Sequence, residues 1–542
     1  MFVFIFLLFF LIEGLGLVQY DKNFYLGFFL ITPLVLYFYI LHQKKTKIFF
    51  PTWQSLFYFL FVVMSLITTF LSAFDKQSAF ERSLIYFSLF LIFIFFSNFK
   101  ELGKNIIHFL LPLGGLLSLI YFLLYLGNYF KIYLFPVSEK QFVWPVYAGH
   151  NHLGDFLGIG IIILIWQLIY KKRKINYWWL VVFFIFFILS FSRSAYLALI
   201  ISLFLLTLYL KRKKYLLLWL ILVLFLTAAA LFVSTNSDFF VKREIFSGRK
   251  EYLRQSVLVF RAYPILGIGA GNFILASKMN NEYYIFSDSA HNIMAEILVE
   301  NGFVGLGLFC LFYLSILYQG IKKKSLASIL LSYLLINFQT DYTYQIYTFL
   351  VLLMVFCALV VGNNYEDKIV NSDFFGGMAL ILYLIFLMIF FSKFLVKINE
   401  NDLAVKVYPY NKAAYLSLIK NATGKNEEES IKKMEKIAPY DQLFLVETAD
   451  YYLRQNKVDR ALLYFERFFK ITKYIDVSLM EKIYLLKTKT QSKQAAEAFL
   501  QNVIFYWRKI PYSEPFAQKL RQFCFKIRGE PCYEAGWDKK PE

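Results

Sequence analysis

One histidine, four arginine or lysine side chains ahead of a proline, and a cluster of glycines fall in a single polar stretch, Ser247 to Gly307. It reads SGRKEYLRQSVLVFRAYPILGIGAGNFILASKMNNEYYIFSDSAHNIMAEILVENGFVGLG and is the one long polar interruption in an apolar first four hundred residues. Long polar loops between membrane spans usually carry function. His291 follows Asp288 and Ser289, either of which is a good N-cap, so it is expected in the first turn of a helix running to Glu300. The positive end of a helix favours a neutral imidazole, and that form acts as a general base. The plainer alternative is a hydrogen-bonded histidine at the membrane interface.

The arginines suggest the partner. Arg193 lies in FSRSAYL between two apolar runs. An unpaired arginine in a membrane core costs roughly 2.5–3.5 kcal/mol on insertion scales, so Arg193 either snorkels to the interface or meets an anion. Its neighbours Ser192 and Ser194 are able to hydrogen-bond a phosphate oxygen. Arg249 opens a helix-like run over 249–262, in which Arg254 and Arg261 are seven apart and share a face. Leu253, Val257 and Phe260 supply an apolar side, which describes a helix lying on a membrane surface. Its arginines either touch lipid headgroups or grip a diphosphate with their guanidinium forks.

Other groups carry less. PILGIGAGN, 264–272, lacks the strand and βαβ setting of a nucleotide loop. Its glycines suit a tight turn or a close approach to another backbone or a ligand. His150 and His152 flank Asn151 with Asp155 nearby; a polar lining to an outward cavity fits this spacing better than a metal site. Glu13 and Asp341 are membrane-edge carboxylates able to orient an arginine or polarise the base. No cysteine pattern suggests metal ligands, and no metal or cofactor is expected.

The elements that must position these residues are membrane spans. Hydrophobic residues make up 59% of the chain and aromatics 21%, with 64 Phe and 40 Tyr, more than one soluble core can hide. Apolar runs of spanning length recur. The chain therefore reads as an all-α polytopic membrane protein with about thirteen spans, near 1–19, 24–41, 55–74, 80–98, 106–127, 152–170, 177–191, 194–210, 215–234, 301–319, 325–339, 346–362 and 374–396. The N-terminal stretch is expected to be a retained first span. The net charge of +20 follows positive-inside sorting, with Lys44-Lys45, Lys171 to Lys174, Lys211 to Lys214 and Lys322 to Lys324 in the cytoplasm. Those clusters are separated by even numbers of spans. This puts the N-terminus inside, and puts the turn at Ser192–Ser194, the loop 235–297 and the C-terminal tail outside.

The domains are thus 1–397, polytopic, with 235–297 as an extracytoplasmic catalytic loop, and 398–542, an extracytoplasmic tail. The tail has amphipathic periodicity, and Ala461, Leu462, Tyr464 and Phe465 on one helix resemble tetratricopeptide repeats. Such arrays offer a concave surface to a protein partner. Of the 4 cysteines, Cys310 and Cys357 sit in apolar runs, whereas Cys524 and Cys532 are able to pair if the tail is outside the cytoplasm.

The order Ser192-Arg193-Ser194, Gly248-Arg249, Pro264 to Gly269, Ala290-His291-Asn292 and Glu300 to Gly305 resembles the O-antigen ligase and polymerase family of bacterial membrane glycosyltransferases. Tyr263 stands where that family often has histidine. The resemblance implies an undecaprenyl diphosphate-linked glycan donor, used on the outer face of the cytoplasmic (inner) membrane. It also implies transfer to an acceptor hydroxyl, with inversion and without a metal. By that resemblance His291 is the base and Arg193 binds the diphosphate with a second arginine, Arg249 by choice and otherwise Arg254, Arg261 or Arg243; Ser192, Ser194, Asn292 and Asn151 are expected to support them. The acceptor is lipid A core, as in lipopolysaccharide, the growing polysaccharide, or a protein serine. A different class is a polysaccharide transporter or assembly protein. No nucleic-acid partner is expected.

Overall fold

The structure is a computed structural model that describes residues 22–42, 47–50, 52–129, 142–143, 146–147, 150–171, 175–190, 192–210, 247–281, 287–361, 368–421, 427–472, 477–507 and 522–527. The expected spans at 1–19 and 215–234, and with them Glu13, lie outside the described residues, as do Arg243 and Cys532.

Most other expected spans appear as apolar helices. They are α1 (Lys22–His42), α2 (Thr52–Leu71), α3 (Lys76–Asn98), α4 (Lys100–Tyr129), α5 (His150–Lys171), α6 (Ile175–Leu189) and α7 (Arg193–Leu210). After the polar helices α8 (Ser247–Ala262) and α9 (Phe273–Met279) come α10 (Ile293–Lys323), α11 (Leu326–Asn337), α12 (Tyr347–Val360) and α13 (Ser372–Lys397). Among the described residues, six are long and apolar enough to cross a bilayer, and five shorter ones are also apolar. The protein is an all-α, multi-pass membrane protein. Its only strands among the described residues form two short ladders, β1 (Lys47–Phe50) with β4 (Lys368–Asn371) and β2 (Phe142–Val143) with β3 (Val146–Tyr147).

The central span is α3: 89% of its apolar stretch is buried, against 33% for α13. It packs on α2 and α12, while α2 packs on α10 and α7 on α11. The helix ends sort into two faces. On one, β1 pairs with β4 antiparallel, with Ile48 opposite Val370. There Lys100 and Lys323 donate to the final carbonyls of the α12 region, Val361 at 2.8 Å and Val360 at 2.7 Å. This is the face that basic loops were expected to share. On the other lie the start of α7, the start of α10 and the α11–α12 connection, which touch one another as described below.

The tail is a run of short helices: α14 (Asn401–Val407), α15 (Lys412–Asn421), α16 (Glu427–Ile437), α17 (Gln442–Arg454), α18 (Val458–Thr472), α19 (Val477–Thr490) and α20 (Lys493–Trp507). Consecutive partners α15 and α16, α17 and α18, and α19 and α20 pack together. Phe444, Leu445, Phe465, Met480, Ile483 and Leu500 centre a core of their own. Cys524 is disulfide-bonded, and Cys310 and Cys357 are free thiols.

The tail seats on the second face. Lys412 Nζ bridges Asp75 at 2.5 Å and Asp441 at 3.0 Å, and Tyr440 packs at a tilt against Phe74 with ring centroids 4.8 Å apart. Helix α9 packs on α18.

Candidate functional site

The site is built from four stretches far apart in sequence. Ser192 precedes α7, and its Oγ lies 3.4 Å from the Ala195 N–H that it caps and 3.1 Å from Ser194 Oγ. Ser194 donates to Asp341 Oδ2 at 2.8 Å. Asp341 sits in the α11–α12 connection, 1% exposed; its Oδ1 accepts from Tyr342 N at 2.7 Å and faces His291 Nδ1 at 3.8 Å. The His291 ring is stacked on Tyr252, with centroids 5.4 Å apart and planes 15° apart, and is met edge-on by Tyr342 at 5.1 Å.

Tyr252 belongs to α8, one turn after Arg249, so the two share a face. The Arg249 guanidinium is near enough to Arg193 for their charges to repel. Arg193 is the neighbour of Ser194, where the circuit began. Arg193, Arg249, Tyr252, His291, Asp341 and Ser194 therefore surround one place. Two like charges brought near one another, with Arg193 exposed, form an arrangement that an anion would relieve.

Burial by itself would raise the Asp341 carboxyl. The facing His291 imidazole, the charge of His152, the Ser194 hydroxyl and the Tyr342 N–H outweigh it and hold Asp341 below the ordinary aspartate range. Burial also pushes the Tyr252 phenol up, so it stays a neutral stacking partner.

The glycine loop supports the site through the backbone. Helix α10 is broken at Gly302, where φ is 65° and an added Cβ would stand 2.1 Å from Ile265 O. The break takes the Phe303 N–H away from Val299 O. Pro264 O accepts the first at 2.9 Å, and Ile268 N–H supplies the second at 3.0 Å. Gly269 N–H completes the exchange on Glu300 O at 2.8 Å. Gly267, with φ 72°, lies so close that a Cβ would be 2.5 Å from Val299 O. The expected close approach is thus to the backbone of α10.

His291 departs from its expected place. The N-cap is Asn292, whose Oδ1 accepts from Ala295 N at 2.9 Å and whose Nδ2 donates to Gln339 O at 3.0 Å. The helix begins at Ile293, so His291 precedes it rather than occupying its first turn, with a left-handed φ of 53°. The reason is local. Ser289 Oγ accepts the His291 backbone N–H at 3.1 Å and is bonded to Tyr344 Oη at 2.8 Å, but the left-handed turn at His291 keeps the helix from starting there.

Arg254 is also placed differently. Its guanidinium is held by Glu251, at 2.6 and 2.7 Å, and donates to Asn280 O at 2.8 Å, which ties α8 to the end of α9. Arg261 is exposed, about 18 Å along the axis from Arg249 at helical rise. Of the described arginines considered, Arg193 and Arg249 are the two brought together at His291.

Asn151 is half-buried near the start of α5. His152 stands edge-on to Tyr342 at 5.2 Å, and Asp155 accepts from Asn337 Nδ2 and Thr343 Oγ1, both at 2.5 Å. They line the same region as Asp341. Among the described residues no group of three or more His, Cys, Asp or Glu is placed to hold a metal ion.

Sequence reasoning passed over Arg82, Glu296 and Tyr344. Arg82 in α3 donates to Tyr347 Oη at 2.7 Å and Gln345 Oε1 at 3.2 Å. Glu296 accepts from Tyr344 Oη at 2.6 Å, from Ala290 N at 3.0 Å, and from Gln345 Nε2. The available signal was the presence of ionisable residues inside apolar runs, which need partners there.

This geometry coincides with a family match. Residues 178–310 match the family model described as O-Antigen ligase. The chain carries an O-antigen ligase-type domain. The matched stretch contains Arg193, Arg249, Tyr252 and His291 and ends before Asp341. No curated protein and no solved structure matches the chain. The O-antigen ligase-type domain supports a role in polysaccharide assembly at a membrane, and the circuit through Asp341 is what the rest of the chain adds to it.

Proposed function

We propose that the protein transfers a glycan from a polyprenyl diphosphate carrier, undecaprenyl diphosphate, to an acceptor hydroxyl on the outer face of the cytoplasmic membrane. The observation that carries this reading is the convergence of Arg193, Arg249 and His291 around one place. Arg193 and Arg249 hold the diphosphate and stabilise the charge that builds on it as the glycosidic bond breaks. His291 takes the proton from the acceptor hydroxyl as its oxygen attacks the anomeric carbon. With Nδ1 turned to Asp341, Nε2 is the nitrogen left for that proton. Asp341 keeps the ring in place and stabilises the imidazolium.

Attack from the face opposite the diphosphate inverts the anomeric centre. The charge on the leaving group is met by guanidinium groups, so no step calls for a metal. The tail faces the same side as the site, and the Cys524 disulfide supports an oxidising compartment there.

The test uses purified protein in lipid nanodiscs, mixed with a defined undecaprenyl diphosphate-linked oligosaccharide. Mass spectrometry should detect the bound donor and, once acceptor is added, free undecaprenyl diphosphate. A protein that binds only bulk lipid and releases no diphosphate would favour an assembly or transport role.

A further inference from the structure

Glu296 lies in the first turn of α10, buried and 3% exposed, beside the guanidinium of Arg82. No hydrogen bond joins it directly to His291. Its Oε2 accepts from the backbone N–H of Ala290 at 3.0 Å and from Tyr344 Oη at 2.6 Å, and its Oε1 accepts from Gln345 Nε2. A phenol has one proton, and Tyr344 gives it to Glu296. The 2.8 Å contact between Tyr344 and Ser289 must then be a donation from Ser289 Oγ. Ser289 Oγ in turn accepts the His291 N–H at 3.1 Å.

Every donor in this chain points the same way: His291 N–H to Ser289, Ser289 to Tyr344, Tyr344 to Glu296. Chains of this kind polarise one another and gain from a low-dielectric surrounding. The end of the chain is a side chain that accepts only, and three donors meet it there. His291 meanwhile holds a left-handed φ of 53°, a conformation that costs a non-glycine residue and persists only where the surroundings impose it.

We propose that Glu296 is a positioning residue for His291: through Ala290, and through Tyr344 and Ser289, it fixes the backbone of the 289–291 turn so that the imidazole faces Asp341. The role is distinct from that of Asp341, which meets the ring itself. It rests on the reading of His291 as the base, and it concerns the placement of that base and not the binding of donor. An amide at 296 keeps the size but removes the charge on which the donors converge, and its NH2 must face either Gln345 or the Ala290 and Tyr344 donors. Removing the Tyr344 hydroxyl breaks the chain in the middle and leaves Glu296 its other two donors.

The experiment compares Glu296→Gln and Tyr344→Phe with the unaltered protein in nanodiscs. It reads kcat and donor KM for transfer and, separately, the rate at which diethyl pyrocarbonate modifies His291, followed by peptide mass spectrometry. The expected result is kcat lower by about tenfold or more with donor KM within about twofold, together with clearly faster modification of His291. Tyr344→Phe, a single-hydroxyl change, carries the test if Glu296→Gln does not accumulate. Unchanged His291 modification, or unchanged kcat, overturns the proposal. His291→Ala is run beside them. If it is inactive while both variants behave as the unaltered protein, Glu296 loses this role and the base assignment stands. If His291→Ala remains active, the base assignment fails, and the modification rate alone still reports whether Glu296 orders the turn.

Discussion

Ser194 and His291, ninety-seven positions apart, meet on the two oxygens of one buried carboxylate: Asp341 accepts from Ser194 at 2.8 Å on Oδ2 and faces His291 Nδ1 at 3.8 Å on Oδ1. The contact fixes sidedness. It places the start of α7, the start of α10 and the α11–α12 connection at one face of the membrane bundle, so Arg193 and His291 are able to act on one substrate.

Replacing Asp341 should therefore damage catalysis more than binding. Asp341→Asn keeps the Ser194 hydrogen bond but loses the charge facing the imidazole. Its kcat should fall by about one to three orders of magnitude while donor KM changes little. Steady-state transfer kinetics check this.

The same residue sets a pH-dependent stability difference. Its folded-state carboxyl lies below its ordinary value. A depressed carboxylate contributes stability that is full above the unfolded pKa, about 3.9, and is lost as pH falls through the folded value. Asp341→Asn should unfold at a lower temperature than the unaltered protein at pH 7, and the gap should narrow below about pH 4. Thermal unfolding in detergent at pH 7 and at about pH 3.5 measures it.

Arg193 and Arg249 repel one another in the absence of an anion. Arg193→Ala and Arg249→Ala should each raise donor KM and lower kcat, because the diphosphate is held throughout and gains charge in the transition state. Lysine at either position should restore only part of the activity, since it offers a point charge and not a fork. Arg261→Ala should leave both constants within about twofold. Transfer kinetics at varied donor concentration separate these outcomes.

Gly302→Ala should destabilise the protein by about 1–3 kcal/mol from its left-handed backbone alone, and by more through the clash with Ile265 O. Yield and thermal stability should drop together. Gly377, where an added Cβ meets nothing within 4 Å, is the control, and Gly377→Ala should behave as the unaltered protein.

Much of this was legible in the chain. Spans such as 80–98 and 152–170 are set by length and hydropathy, and the structure places helices over Lys76–Asn98 and Asn151–Tyr170. Arg193 and His291 stand out because ionisable groups at the edge of apolar runs need a reason. Asp341 was visible as a membrane-edge carboxylate, but its choice of partner depends on how α7, α10 and α11 pack, which periodicity does not encode. Glu296 was invisible as a positioning group because its role lies in hydrogen bonds to distant Tyr344 and Gln345. The first-turn placement of His291 failed because its left-handed backbone takes the chain out of the helix there. Asn292 caps instead, and the start of the helix moves past the histidine.

The most direct measurement is single-turnover glycan transfer by His291→Ala, with donor retention followed in the same sample. Transfer should be nearly abolished while the polyprenyl diphosphate donor is held as tightly as by the unaltered protein. Transfer at close to the normal rate would contradict the base role of His291 and the reading built on it.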